Sequence, residues 1–255
     1  MKSLVFCFII SFVFLLTACE TKPYVYDSDV IGNDLIIQNY QVTTNSETCS
    51  NEKSLPAMSA RATFRRGEDY VHLVNSAVLL INGEKTTAGD RFAQTKNNGM
   101  QYVNGIIPSF GKTFPCPQKD ITFEFTDQNG SKFVNRVDLR KVILKFPATI
   151  QSDQNLEIEY ENPSNSEISE FRVGTFDEKN SRNMFDGDSK TQVKKGLPAI
   201  NIETKKIIIP KEVWAKSKQG ENYLLFEFTT RMPLKAGEKG EINYTYSIES
   251  KVEIK

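Results

Sequence analysis

The chain has 255 residues, of which 39% are hydrophobic, and its 32 basic side chains are balanced by 32 acidic ones. This balance argues against a nucleic-acid-binding protein, because affinity for a phosphate backbone depends on an excess of Lys and Arg. The 17 Phe and 9 Tyr residues argue against a disordered chain, since they are enough to fill a hydrophobic core.

The N-terminus has the features of an export signal. Lys2 places a positive charge ahead of an almost unbroken apolar run at residues 4–16. A helix that spans a bilayer needs roughly 20 apolar residues, so this shorter run predicts a signal peptide rather than a membrane span.

The apolar run ends in Leu16-Thr17-Ala18-Cys19, which resembles the lipobox of bacterial lipoproteins. The resemblance implies cleavage after residue 18 and acylation of Cys19. Membrane lipid is then a partner, and the location is the bacterial cell envelope, with the outer membrane or cell surface favoured. Two or three acyl chains would make the attachment effectively permanent, because each buried methylene contributes about 0.8 kcal/mol. The alternative is an ordinary secretory signal with Cys19 near its cleavage site by chance.

Cys49 and Cys116 are the other two cysteines of the expected mature chain. Export would place them in an oxidising compartment, where a disulfide is the default expectation. Closing a loop of this length would stabilise the fold by about 4 kcal/mol in chain-entropy terms. Two free, buried cysteines are the alternative.

After a tether predicted at residues 20–29, alternating apolar and polar residues predict β-strands. The clearest is at 121–126, where Ile121, Phe123 and Phe125 alternate with polar residues, and the turn sequence at 127–130 predicts a hairpin. A second hairpin is predicted around Asn82-Gly83. Further strands are predicted at 35–42, 62–66, 70–74, 91–95, 101–103, 156–161, 171–176, 199–202, 206–209, 223–230 and 242–248, with 252–254 extending the last.

A second resemblance lies at residues 207–228. Ile207-Ile208-Ile209-Pro210, a helical turn predicted at 211–216 with Trp214, and an apolar strand at 224–228 resemble the end of an immunoglobulin-like domain. The chain is therefore similar to bacterial surface lipoproteins with tandem immunoglobulin-like domains. The Cys-Trp-Cys arrangement of antibody domains is missing.

The resemblance implies an all-β fold with two tandem immunoglobulin-like β-sandwich domains. The expected divisions are a signal peptide at 1–18, a lipidated tether at 19–29, and domains at 30–143 and 144–255. A single larger β domain is the alternative.

The sequence predicts no catalytic residue, cofactor or metal site. His72, the only histidine, is expected to be structural or exposed. Glu157, Glu159 and Glu161 alternate with apolar residues, so one solvated strand face is expected rather than a carboxylate pair for glycoside hydrolysis.

Two long polar connections are predicted at 43–59 and 177–190, and such loops often carry binding residues. Phe185, Asp186 and Asp188 in the second are the candidate binding residues. Asp186-Gly187-Asp188 is conceivable as a calcium loop, but it lacks the spacing of an EF-hand, and a plain solvated loop is favoured.

These features together predict a non-enzymatic, membrane-anchored binding or structural module of the envelope. Its partner would be an envelope or extracellular protein or a glycan. The alternatives are an accessory subunit of an envelope complex and a hydrolase without a recognisable motif.

Overall fold

Alternating side chains produce β-strands throughout most of the described chain, and the predicted all-β class is confirmed. The structure is a computed structural model. It describes residues 25–27, 36–44, 58–67, 69–73, 77–97, 100–115, 118–164, 166–176, 183–186, 198–214, 217, 219–235 and 238–255.

The strands follow one another in chain order. The first ten are β1 (Val25–Asp27), β2 (Ile37–Thr44), β3 (Met58–Arg66), β4 (Asp69–His72), β5 (Val78–Ile81), β6 (Glu84–Lys85), β7 (Thr87–Asn97), β8 (Met100–Phe114), β9 (Asp120–Thr126) and β10 (Lys132–Asp138). The others are β11 (Ile143–Leu144), β12 (Thr149–Ile150), β13 (Leu156–Glu161), β14 (Glu167–Phe176), β15 (Asn183–Asp186), β16 (Ala199–Asn201), β17 (Lys206–Ile209), β18 (Gly220–Pro233) and β19 (Gly240–Ile254).

Among the described residues the strands form three sheets. The largest has eleven strands, in the order β1-β4-β3-β2-β19-β18-β14-β15, with β12 added beside β19 and the β7–β8 pair beside β3. The two smaller sheets have the orders β10-β9-β5-β6 and β11-β13-β17-β16.

Strand β19 joins the two halves of the chain. It pairs with β18 in antiparallel fashion along almost its whole length, which is about 50 Å for a strand of this size. Its first residues also pair in parallel with β2, from Gly240 opposite Gln38 to Thr245 opposite Thr43, and its end pairs with β12. Strands from both predicted domains therefore share one sheet, and the division at residue 143 stays a prediction.

Two predicted hairpins are confirmed. Asn82 and Gly83 have φ values of 52° and 76° between β5 and β6, as a tight two-residue turn requires. Between β9 and β10, the backbone N–H groups of Asn129 and Ser131 each donate to Asp127 Oδ1 at 2.8 Å. Such Asx contacts close the turn locally.

Other elements differ from the predicted pattern. Short β1 lies inside the predicted tether, where it pairs in parallel with β4. The predicted loop at 177–190 is wrong at 183–186, which form β15 at a sheet edge. Strands β7 and β8 are much longer than the segments predicted at 91–95 and 101–103. In each case backbone pairing with a neighbouring strand supplies hydrogen bonds that do not require alternating side chains.

The N-terminal part of the core is aromatic and lies between the large sheet and β9. Tyr40 stacks on Phe123 with ring centroids 4.4 Å apart, and Phe64 lies 4.7 Å from Phe125. All four side chains are at most 2% exposed. Offset and tilted ring pairs of this kind add to the stabilisation from burial.

The C-terminal part of the core includes Trp214, which is 1% exposed. The helical turn predicted nearby is seen as a 3-10 turn at Lys211–Val213, after Pro210. Phe228 packs between Phe226 and Tyr246, with centroid distances of 6.0 and 5.6 Å.

Residues 139–142 connect the two parts of the core and are held by two buried tyrosines of β19. Tyr244 Oη donates to the carbonyl oxygen of Leu139 at 3.2 Å, and the N–H of Val142 donates to Tyr246 Oη at 3.0 Å. Leu139 and Val142 are themselves buried. The connection is therefore packed into the core rather than left as a free hinge.

Candidate functional site

Most of the site residues predicted from the sequence lie outside the described part of the chain, namely Cys19, Cys49, Cys116 and Asp188. Phe185 and Asp186 lie in edge strand β15, where their backbones pair with Val173 and Arg172 of β14. The disulfide, the lipid anchor and the binding role of this segment stay predictions.

The three glutamates of β13 form a solvated face, as predicted. All three are exposed, Lys206 Nζ donates to Glu157 Oε2 at 2.8 Å, and Lys145 Nζ donates to Glu159 Oε2 at 3.0 Å. The hydrogen bond from Lys145, reinforced by its charge, lowers the pKa of Glu159. These are ordinary surface ion pairs.

His72 lies at the end of β4, half-buried, with its ring 6.1 Å from that of Phe110. Its expected role, structural or exposed, stays a prediction.

The structure reveals a polar groove that the sequence did not predict. It has a volume of about 420 Å³ and crosses the outward face of the large sheet. Five neighbouring strands, β14, β18, β19, β2 and β3, line it together with Ser109 of β8. The groove therefore spans the place where β2 and β19 join the two halves of the chain.

The register of these strands aligns polar side chains in rows. The central row runs across β18, β19, β2 and β3 and consists of Arg231, Asn243, Gln41 and Arg61. Beside it lies a row of hydroxyl side chains, Thr229, Thr245, Thr43, Ser59 and Thr113. Because successive side chains of a strand point to opposite faces, these rows face outward while their neighbours fill the core.

At the β18–β19 end of the groove, the polar groups are already paired with one another. Glu241 is central, because Arg231 Nε lies 3.1 Å from its Oε2 and Asn243 Nδ2 donates to its Oε1 at 2.8 Å. Thr229 Oγ1 and Thr245 Oγ1 are 3.1 Å apart and share a hydrogen bond. This end is a preformed network.

At the β2–β3 end, three polar side chains have no hydrogen-bond or ion-pair partner among the described residues. Within the part of the chain that the structure describes, the side chains of Asn39, Gln41 and Arg61 make no hydrogen bond or ion pair. Gly111 of β8 lies beside Arg61, and a Cβ atom at that position would be only 2.9 Å from Arg61 Cγ. The glycine thus leaves room for the stem of the arginine on the sheet surface.

The floor beneath the groove is packed into the aromatic core. Tyr40 is among the residues that line the groove. It is 1% exposed, stacks on Phe123 and donates from its Oη to Gln38 Oε1 at 2.6 Å. Burial raises the pKa of Tyr40 above its ordinary value of about 10, so the phenol stays protonated in alkaline solution in which a free tyrosine would ionise. A fixed floor keeps the outward side chains of β2 in register with those of β3 and β19.

The groove has no net charge. Arg61 and Arg231 are balanced by Glu170 and Glu241, and Arg231 already contacts Glu241. Among the residues that line the groove, Ala62 and Tyr40 are both 1% exposed and belong to the core. Any ligand would therefore be held mainly by hydrogen bonds.

A second cavity of about 500 Å³ borders the groove and shares Arg231 with it. Its wall is more apolar and includes Ile168, Ile200 and Ile202, of which Ile202 is 61% exposed. No group of three or more His, Cys, Asp or Glu side chains within the described ranges could hold a metal ion. Among the same residues, no helix has the length and apolar character needed to cross a membrane.

Comparison with known proteins gives no family assignment. No family model matches the chain, and no curated protein matches it. One similar solved structure is the full-length tri-modular endo-β-1,4-glucanase B from Bacillus halodurans, with 13% sequence identity and a TM-score of 0.27. The match covers 92% of this chain and 37% of that one. A likeness at this level supports no argument about fold or activity.

Proposed function

We propose that the protein is a lipid-anchored lipoprotein of the bacterial envelope that acts as a non-enzymatic binding or structural module. Acylated Cys19 holds it at the membrane, in the outer membrane or at the cell surface. The β body carries the polar groove away from the lipid. Support for the anchor comes from Leu16-Thr17-Ala18-Cys19 directly after the apolar run at 4–16.

The body consists of immunoglobulin-like sandwiches. Support comes from the strand order of the C-terminal part, where β12-β19-β18-β14-β15 and β11-β13-β17-β16 are separate sheets. Immunoglobulin domains divide their strands in the same way, with the last two strands in one sheet and the second and fifth in the other. The chain passes from β17 to β18 through the 3-10 turn at Lys211–Val213. The N-terminal part uses β19 of its neighbour to extend its sheet.

The observation that carries this proposal is the sequence Leu16-Thr17-Ala18-Cys19 after the apolar run. The double pairing of β19 supports the stiffness of the body. A strand shared by both parts, together with the buried contacts of Tyr244 and Tyr246 to residues 139–142, favours a stiff body over two domains on a flexible linker. Stiffness suits a module that presents a surface at a set distance from a membrane.

The anchor is tested by replacing Cys19 with serine in the full-length chain. Cells are fed an alkyne-labelled fatty acid, and the protein is followed by label and by membrane fractionation. Wild type should carry the label and fractionate with membranes, whereas Cys19→Ser should lose both properties. A Cys19→Ser protein that still partitions wholly with membranes would refute the anchor, as would a mature N-terminus elsewhere without fatty acid.

A further inference from the structure

The β2–β3 end of the groove presents side chains that can form hydrogen bonds to a polar ligand. Each carboxamide of Asn39 and Gln41 offers both donors and an acceptor, and the Arg61 guanidinium offers five donors in a planar fork. Within the described chain none of the three side chains has an internal partner. Vicinal hydroxyl groups, each both donor and acceptor, complement this combination.

The composition of the groove disfavours a protein or a nucleic acid as its ligand. Protein interfaces depend on buried aromatic or apolar anchors at their centre, and the exposed lining of this groove is polar. Nucleic acids require an excess of positive charge, but Arg61 and Arg231 are offset here by Glu170 and Glu241. A ligand that is polar on all sides and carries little charge fits better.

The dimensions of the groove favour a chain-like ligand. Four inter-strand spacings separate β14 from β3, which corresponds to about 19 Å. A ligand lying across the strands would meet a new polar side chain about every 4.8 Å. Arg61 stands at one end and Glu170 at the other, so a polymer of uniform charge would be repelled at one of them.

We propose that this groove binds an uncharged, hydroxyl-rich glycan chain that lies across β14, β18, β19, β2 and β3. Asn39, Gln41 and Arg61 make the direct hydrogen bonds, while Glu241 keeps Arg231 and Asn243 in place. The inference deepens the proposed function, on which it rests, by naming the class of ligand. The glycan belongs either to the cell's own wall or to an external polysaccharide.

Binding is measured with the full-length, detergent-solubilised protein by saturation-transfer NMR and titration calorimetry. One probe is chitohexaose, an uncharged oligomer of N-acetylglucosamine that stands for the amino-sugar backbone of the cell wall, and the other is maltohexaose, which stands for an external polysaccharide. Arg61→Met removes the guanidinium but keeps most of the stem, and it should weaken binding at least about tenfold, as expected for a lost hydrogen bond to a charged group. Gln41→Leu changes an exposed side chain and should weaken binding about threefold to tenfold.

Arg136→Met is the matched control, because Arg136 lies on β10 outside the groove and pairs with Asp120 at the surface. It should bind both probes like wild type. If Arg61→Met does not fold, as judged by its melting curve, Gln41→Leu decides the result. Failure of both probes to bind, or equal binding by wild type and both groove variants, would overturn the inference. Preferential binding of a sulfated polysaccharide, or capture of a protein through Gln41 and Arg61, would also overturn it.

Lipid labelling of the wild-type protein, measured beside the same titration, separates this inference from the proposed anchor. Glycan binding by a wild-type protein that carries no lipid label would refute only the anchor. Lipid labelling without glycan binding would refute only the ligand class.

Discussion

Gly240 controls the junction between β2 and β19, and its replacement by alanine tests whether that pairing holds the two halves together. Its φ is +126°, a backbone conformation that side chains rarely adopt, and an added Cβ atom would overlap the backbone carbonyl of Gln38. Directly beside it, Gln38 N donates to Lys239 O at 2.8 Å. The substitution therefore combines backbone strain with a collision inside the parallel ladder.

The size of the effect follows from these two causes. Strain at such a φ costs about 1–3 kcal/mol, and each neighbouring backbone hydrogen bond that breaks costs about 0.5–1.5 kcal/mol. With two such bonds lost, we expect Gly240→Ala to lower the free energy of unfolding by about 4 kcal/mol. For a protein of this size that corresponds to a fall in Tm of about 8–16 °C.

Gly220 provides the control at the opposite end of the same β18–β19 ladder, where it pairs with Ile254. Its φ is +105°, but an added Cβ would meet nothing within 4 Å. Gly220→Ala should therefore lower the free energy of unfolding by the backbone strain alone, which is about 2 kcal/mol. Urea denaturation measures both losses, and hydrogen exchange should show faster exchange of β2 amides only in Gly240→Ala. Equal losses in the two variants, with β2 protected in both, would refute the reasoning.

Two further predictions concern the buried tyrosines. Tyr246→Phe should lower the free energy of unfolding in urea by about 1–3 kcal/mol, because the buried N–H of Val142 loses its acceptor; an unchanged midpoint would contradict this. Burial raises the pKa of Tyr40, Tyr244 and Tyr246, so their contribution is fully present below the unfolded-state pKa near 10 and is lost as the pH rises above it. Each should lower the free energy of unfolding by about 1.4 kcal/mol per pH unit above about pH 10, and a Tyr→Phe variant at one of the three positions should reduce the slope by that amount, as measured by urea denaturation at each pH.

Local signals in the sequence were sufficient to predict strand pairing where a short turn sets the register of the two strands. The hairpins around Asn82-Gly83 and at 127–130 could be predicted because a short turn aligns the strands on either side of it. The solvated face of β13 followed from strict alternation in six residues. Short edge segments such as Asn183–Asp186 could not be found in this way, since their pairing depends on a neighbouring strand rather than on their own pattern.

The amino-acid sequence by itself determined the β character of the chain, the alternation of Asn39, Gln41 and Thr43 with core residues, and the apolar N-terminal run that ends at Cys19. Only the tertiary structure decided that β2 lies in parallel beside β19, which places Gln41 next to Asn243. Residues about two hundred positions apart meet there, and no local turn specifies their register. The groove arises from that long-range pairing. Each strand contributes a few outward polar side chains, and these lie beside one another only after the strands have paired in the sheet.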